Sequence, residues 1–95
     1  MADTRMTEFR AATPEAADRL HGLLAEGAAI YSAAPHCRSC RLLRDRDDPQ
    51  AFVMVEVWDD IAHRAAAAKT VPAHVVEQAS AIMAGPPQAR SFAAA

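Results

Sequence analysis

Three titratable side chains in the second half of this 95-residue chain have types suited to moving protons: Glu56, His63 and His74. Glu56 stands in the strand-like run Phe52-Val53-Met54-Val55-Glu56-Val57-Trp58, where alternation places it between Met54 and Trp58 on one face. A carboxylate held there is either a general base or substrate anchor, or one half of a structural ion pair; Arg10, Arg41 and Arg90 are the cations considered as partners. Trp58 either presents a flat wall to an aromatic ring or fills the sheet edge. His63 and His74 stand in helical segments, and imidazole suits proton transfer near neutral pH; surface exposure is the plainer alternative for both. Cys37-Arg38-Ser39-Cys40 has the spacing of a redox or metal pair. On a strand, however, the two thiols point to opposite faces with Cα atoms about 10 Å apart, too far for a disulfide. No metal site is expected from them, since zinc needs two further ligands.

The elements that position these residues follow from local patterning. Residues 5–12 alternate as a first strand. Thr13-Pro14-Glu15 then offers an N-cap, a proline for the first helical turn and an early acid, and Ala17, Leu20, Leu23, Leu24, Ala28 and Tyr31 form one apolar stripe ending near Ser32. Residues 37–44 and 51–58 are two strands joined by the polar turn 45–50, so an antiparallel hairpin is expected. Asp59 and Asp60 can cap a short alanine-rich helix, and a further helix runs from Pro72 to Met83, stopped by Gly85-Pro86-Pro87. Residues 89–93 can close the chain as a last strand. This order predicts an α+β, ferredoxin-like split βαβ fold: a four-stranded antiparallel sheet with helices on one face, formed by a single domain over residues 1–95. Val53, Val55 and Val57 are expected beneath the helices. Phe52, Met54, Glu56 and Trp58 are then expected on the bare face, as an apolar patch of the kind that marks an interface or ligand site.

Composition narrows the functional classes. Of the residues, 52% are hydrophobic, but 24 are alanine, so the core is thin and a partner subunit is one remedy. A net charge of −2 and only 5% aromatics give no footprint for nucleic acid. No apolar run approaches a membrane span and no leader pattern opens the chain, so a cytoplasmic protein without membrane partners is expected; two cysteines agree with a reducing compartment.

The stretch Arg44-Asp45-Arg46-Asp47-Asp48-Pro49-Gln50-Ala51-Phe52 through Glu56 and Trp58, followed by Ala62-His63, resembles the signature of the antibiotic biosynthesis monooxygenase-like family. Pro72-Ala73-His74-Val75 is similar to the start of that family's last helix, and Ala84-Gly85-Pro86-Pro87 to its exit. The resemblance covers roughly residues 5–93 and implies a dimeric α/β barrel, in which two subunits pack sheet against sheet around a cavity. The sequence departs from the family where a second histidine often stands, at Ala66, and contains no asparagine at all; Met54 stands four residues before Trp58. These departures argue against the haem-degrading branch.

On that resemblance, the expected function is a monooxygenase without cofactor, oxidising a small electron-rich aromatic of hydroquinone or polyphenol type with O₂. The expected catalytic set is His63, His74 and Glu56. The expected substrate-binding set is Trp58, Met54, Phe52 and Arg41, although the register of the second strand leaves open which of its faces lines the cavity. The expected partners are a second copy of the chain, joined through the sheet faces, and a small aromatic substrate. The alternative is a non-catalytic dimeric barrel that binds a small apolar ligand or serves as an accessory subunit.

Overall fold

A computed structural model describes residues 2–95. Its elements are β1 (Asp3–Arg10), α1 (Ala17–Ala33), β2 (Cys37–Arg44), β3 (Ala51–Trp58), a 3₁₀ turn (Ile61–His63), α2 (Arg64–Ala68), α3 (Ala73–Ala81) and β4 (Gln88–Ala93). The strands form one sheet in the order β2-β3-β1-β4, and every neighbouring pair is antiparallel. This is the ferredoxin-like α+β arrangement, with β1 and β3 at the centre and the helices on one face. Among the described residues, no helix is long and apolar enough to cross a membrane.

Local chemistry explains the joints. Thr13 Oγ1 accepts from the Ala16 amide at 3.2 Å, so the threonine holds the turn that leads into α1, and the helix proper starts at Ala17 rather than at Pro14. In the β2–β3 turn the Asp45 carboxylate accepts from the amides of Asp47 (2.8 Å) and Asp48 (3.0 Å), and Arg10 pairs with Asp48 to tie the turn to β1. Asp60 caps the 3₁₀ turn by accepting from the Ala62 amide at 2.9 Å. The chain thereby reverses at the end of β3 and returns over the sheet.

The faces of β3 are the reverse of the sequence-based expectation. Phe52, Met54, Glu56 and Trp58 point to the helices and are all buried, whereas Val53, Val55 and Val57 lie on the outer face and are partly exposed. Volume explains the inversion. The core contributed by the helices is largely Ala17, Ala28, Ala67 and Ala79, with Leu20, Leu24, Tyr31 and Val75 as the larger members. Alanine-rich helices leave space, so the bulky residues of β3 must fill it to reach interior packing density. The compact valines are left to form a flat outer surface.

The second strand also departs from simple alternation. Pairing shifts between Cys37 and Ser39, so Cys37 lies opposite Trp58 while Ser39 lies opposite Val57. This bulge turns Cys37 to the same side as Cys40, which lies opposite Glu56. The two thiols therefore share the helix-facing side instead of lying on opposite faces, and both are free. Arg41 and Leu43 are carried to the outer face, opposite Val55 and Val53.

Candidate active site between sheet and helices

Glu56 is fully buried, and its carboxylate accepts three hydrogen bonds. Trp58 Nε1 donates to Oε1 at 3.0 Å, Arg64 Nε donates to the same oxygen at 2.7 Å, and an Arg64 terminal nitrogen donates to Oε2 at 3.3 Å. The cation is thus Arg64, at the start of α2, and none of the three arginines considered from sequence. Arg10 is committed to Asp48, and Arg41 and Arg90 lie on the outer face, Arg90 with its guanidinium 5.1 Å from the Phe92 ring centre. Arg64 also stands over the Tyr31 ring at 4.7 Å, and Tyr31 meets Trp58 edge to face at 6.2 Å. Trp58 of β3 and Arg64 of α2 are therefore fastened to a single buried carboxylate by hydrogen bonds, and Tyr31 of α1 joins them through its ring contacts.

The surroundings of Glu56 keep neighbouring protons in place. Burial pushes the Tyr31 hydroxyl above the ordinary phenol range, and the Arg64 charge only partly offsets this. Burial, and then the Glu56 charge, push the Cys40 thiol up to about 12. Cys37 is raised by the same two influences. At neutral pH Tyr31 is therefore a hydrogen-bond donor, and both cysteines are thiols without nucleophilic character.

Beside this cluster lies a cavity of about 300 Å³ between the sheet and the helices, at the low end for a small-molecule site. Its walls include Arg5, Thr7, Phe9 and Met54 from the sheet, Leu23, Leu24, Gly27 and Tyr31 from α1, Arg64 from α2, Val75 from α3 and Val71 from the turn between those two helices. Arg5 Nε and Thr7 Oγ1 are buried there without a hydrogen-bond partner. A larger recess of about 510 Å³ lies nearby, lined by Ile30, Ala33, His36, His63 and Ala66. In it the His36 and His63 rings stack at 3.8 Å and 14°. His36 has a φ of 68°, in the left-handed region, and its ring faces Asp59 at 3.6 Å. The smaller cavity is the stronger candidate, because buried charge and unpaired polar atoms converge on it.

Of the residues singled out from the sequence, Met54 lines this cavity. Phe52 and Trp58 are buried in the core and do not line it, and Glu56 anchors Arg64. His63 faces the larger recess, His74 is exposed in the first turn of α3, and Arg41 lies on the outer sheet face. Sequence reasoning missed Arg5, Thr7, Tyr31 and Arg64 as site residues. Period two offered one signal: Arg5, Thr7 and Phe9 share one face of β1, so a face that carries Phe9 toward a core also carries an arginine and a threonine.

The antiparallel four-stranded sheet with its helices on one face defines the class of small ferredoxin-like α+β domains, here with an arginine-bearing cavity beneath the helices. Within that class the family is specific: residues 4–79 match the model of the antibiotic biosynthesis monooxygenase family, and the chain belongs to it. The fold agrees. A crystal structure of an antibiotic biosynthesis monooxygenase superposes with a TM-score of 0.81 at 24% identity, covering 100% of this chain and 99% of the other. Rv0793 from Mycobacterium tuberculosis gives 0.86 at 18% identity, over 100% of this chain and 96% of that one. SnoaB, a cofactor-independent oxygenase from Streptomyces nogalater, gives 0.80 at 22% identity, over 98% and 92%. No curated protein matches this chain.

The ion pair makes a direct prediction. Arg64→Met leaves the Glu56 carboxylate buried with only the indole as donor and is expected to cost about 3–5 kcal/mol in urea unfolding. Adding Glu56→Gln to that variant should recover part of the loss, because the uncompensated charge is gone. A loss below about 1 kcal/mol for Arg64→Met would mean that the pair does not hold the helices to the sheet.

Proposed function

We propose that this protein is a monooxygenase without cofactor, which oxidises a small electron-rich aromatic of hydroquinone or anthrone type in the 300 Å³ cavity. The observation that carries the proposal is this cavity in a member of the antibiotic biosynthesis monooxygenase family: apolar over most of its wall, with Arg64 and a protonated Tyr31 among the lining residues. SnoaB, which shares the fold, supports the class of chemistry.

The substrate supplies the electrons. Once deprotonated, its anion passes one electron to O₂, and the two radicals combine to form a carbon–oxygen bond. The resulting hydroperoxide loses water to leave a carbonyl. One oxygen atom stays on the ring, and the other leaves as water with two hydrogens from the substrate. The protein excludes bulk water and stabilises the developing oxyanion, tasks for which Phe9, Leu24 and Met54 on one side and Tyr31 and Arg64 on the other are suited. Glu56 orients Arg64 in this scheme. The proposed proton acceptor is His63, which lines the neighbouring recess and not this cavity, so that the proton passes to it through bridging water; His74, exposed on α3, is the comparison.

Oxygen uptake with a panel of hydroquinones and anthrones is expected to exceed the buffer rate. His63→Ala should lower it by roughly 100-fold, the scale of general-base removal. Uptake at the buffer rate for every substrate would contradict the proposal. One observation favours a second reading, a ligand-binding barrel without turnover: none of Glu56, His63 and His74 lines the cavity. Thermal shifts with hydroquinones and no oxygen uptake would select it.

We also propose that two copies associate through the outer sheet face. Val53, Val55 and Val57 lie there with Met6, Leu43 and Phe92, the last three each about two-fifths exposed (41%, 42% and 41%). With Glu8, Arg41 and Arg90 beside them on the same face, these residues form an apolar band that suits sheet-on-sheet packing. Sedimentation at micromolar concentration should give a dimer, and Val55→Glu, at the centre of the face, a folded monomer. A monomeric parent protein would contradict this assembly.

A further inference from the structure

Two polar atoms in the cavity have no task in the scheme above. Thr7 is 4% exposed, yet its hydroxyl has no hydrogen-bond partner, and Arg5 Nε is likewise buried and unpaired. The two residues stand two apart on the helix-facing side of β1, so their side chains are about 7 Å apart at the backbone and converge on one region of the wall. Buried polar atoms in folded proteins are nearly always partnered, so two together in one cavity call for an explanation.

The charge balance points the same way. The cavity wall carries two guanidinium groups, Arg5 and Arg64, and no aspartate or glutamate. The one carboxylate nearby, Glu56, lies opposite Arg5 in the strand register, yet its hydrogen bonds come from Arg64 and Trp58 and none from Arg5. Tyr31 and Cys40 stay neutral, and the half-buried Arg5 has no carboxylate hydrogen-bonded to its guanidinium. A partly desolvated guanidinium beside a buried, unpaired hydroxyl favours an anionic oxygen.

We propose that Arg5 and Thr7 form an anion subsite, which selects small aromatic ligands carrying one anionic oxygen group, a carboxylate or a phenolate, at one end of an apolar body. Arg5 supplies the charge and a donor, Thr7 a hydroxyl donor, and Phe9, Met54, Leu24 and Val75 take the ring. The inference rests on the cavity being the substrate site, and it adds the substrate class: acidic phenols or aryl carboxylates rather than neutral arenes.

Calorimetric titration of the whole protein with matched probes tests it. The carboxylate arm compares 2-naphthoate with the neutral 2-naphthamide; the phenolate arm compares 4-nitrophenolate with nitrobenzene at a pH where the phenol is ionised. At least one anion should bind about tenfold more tightly than its neutral counterpart, the scale of one charge-assisted hydrogen bond, and the arm that shows the preference assigns the group. Arg5→Met should reduce the preference to within about twofold while leaving the neutral probe's affinity unchanged. The isosteric Thr7→Val should remove part of it, and serves alone if Arg5→Met does not fold. Equal affinities within both pairs, no binding by any probe, or a preference untouched by the substitutions would overturn the subsite. The oxygenase proposal fails separately: an anion preference without oxygen uptake keeps the subsite and removes the chemistry, and turnover without anion preference does the reverse.

Discussion

A glutamate with no solvent exposure is the constraint around which the rest of this fold is arranged. Sealing a carboxylate inside a domain of this size is costly unless it is paired and its oxygens are satisfied, and here one arginine and one indole do both. The consequences spread outward. Because Arg64 opens α2, Glu56 must face the helices, and by strand alternation Phe52, Met54 and Trp58 face them too. Because Arg64 also lies on the Tyr31 ring, α1 is set against α2 at the same point. The cavity begins where this packing stops, between Tyr31 and Arg64 at one end and α3 at the other.

The alanine content gains a different meaning in this light. A helical layer rich in small side chains brings little volume to the core. The sheet supplies the bulk through Trp58 and Phe52, and what it does not fill remains as ligand space. Met54 stands at that boundary: it is 3% exposed, and it forms part of the cavity wall. The valines on the other side of β3 have no such duty, and their uniform height leaves a surface fitted to a second sheet. The two faces of this one eight-residue strand thus differ in kind, bulky and buried on the helix side, compact and partly exposed on the other.

Much of the architecture was legible in the sequence because it depends on local signals. The stripe from Ala17 to Tyr31, the acidic turn before Ala51 and the Gly85-Pro86-Pro87 stop each report on a few neighbouring residues, and together they place the elements in order. The separation of β3 into a valine set and a Phe52-Met54-Glu56-Trp58 set was also legible. Which set faces the helices was not, since period two is symmetric and the answer depends on the volume available on the other layer. The bulge at Cys37 is similarly silent, and one extra residue was enough to bring both thiols to one side. The site was the least legible part. Arg64 is eight residues from Glu56 in the chain but reaches it only because the 3₁₀ turn folds α2 back over the sheet, and Arg5 and Thr7 acquire meaning only beside a cavity that no local pattern announces.

A crystal structure of the protein with 2-naphthoate bears most directly on the claim that the Glu56–Arg64 pair leaves a second cavity arginine, Arg5, free to meet an anion. The account predicts the ring between Met54 and α3, the carboxylate within hydrogen-bond distance of Arg5 Nε and Thr7 Oγ1, and the Glu56–Arg64 pair intact. A ligand seated on the outer sheet face, or a carboxylate that draws Arg64 away from Glu56, would contradict it.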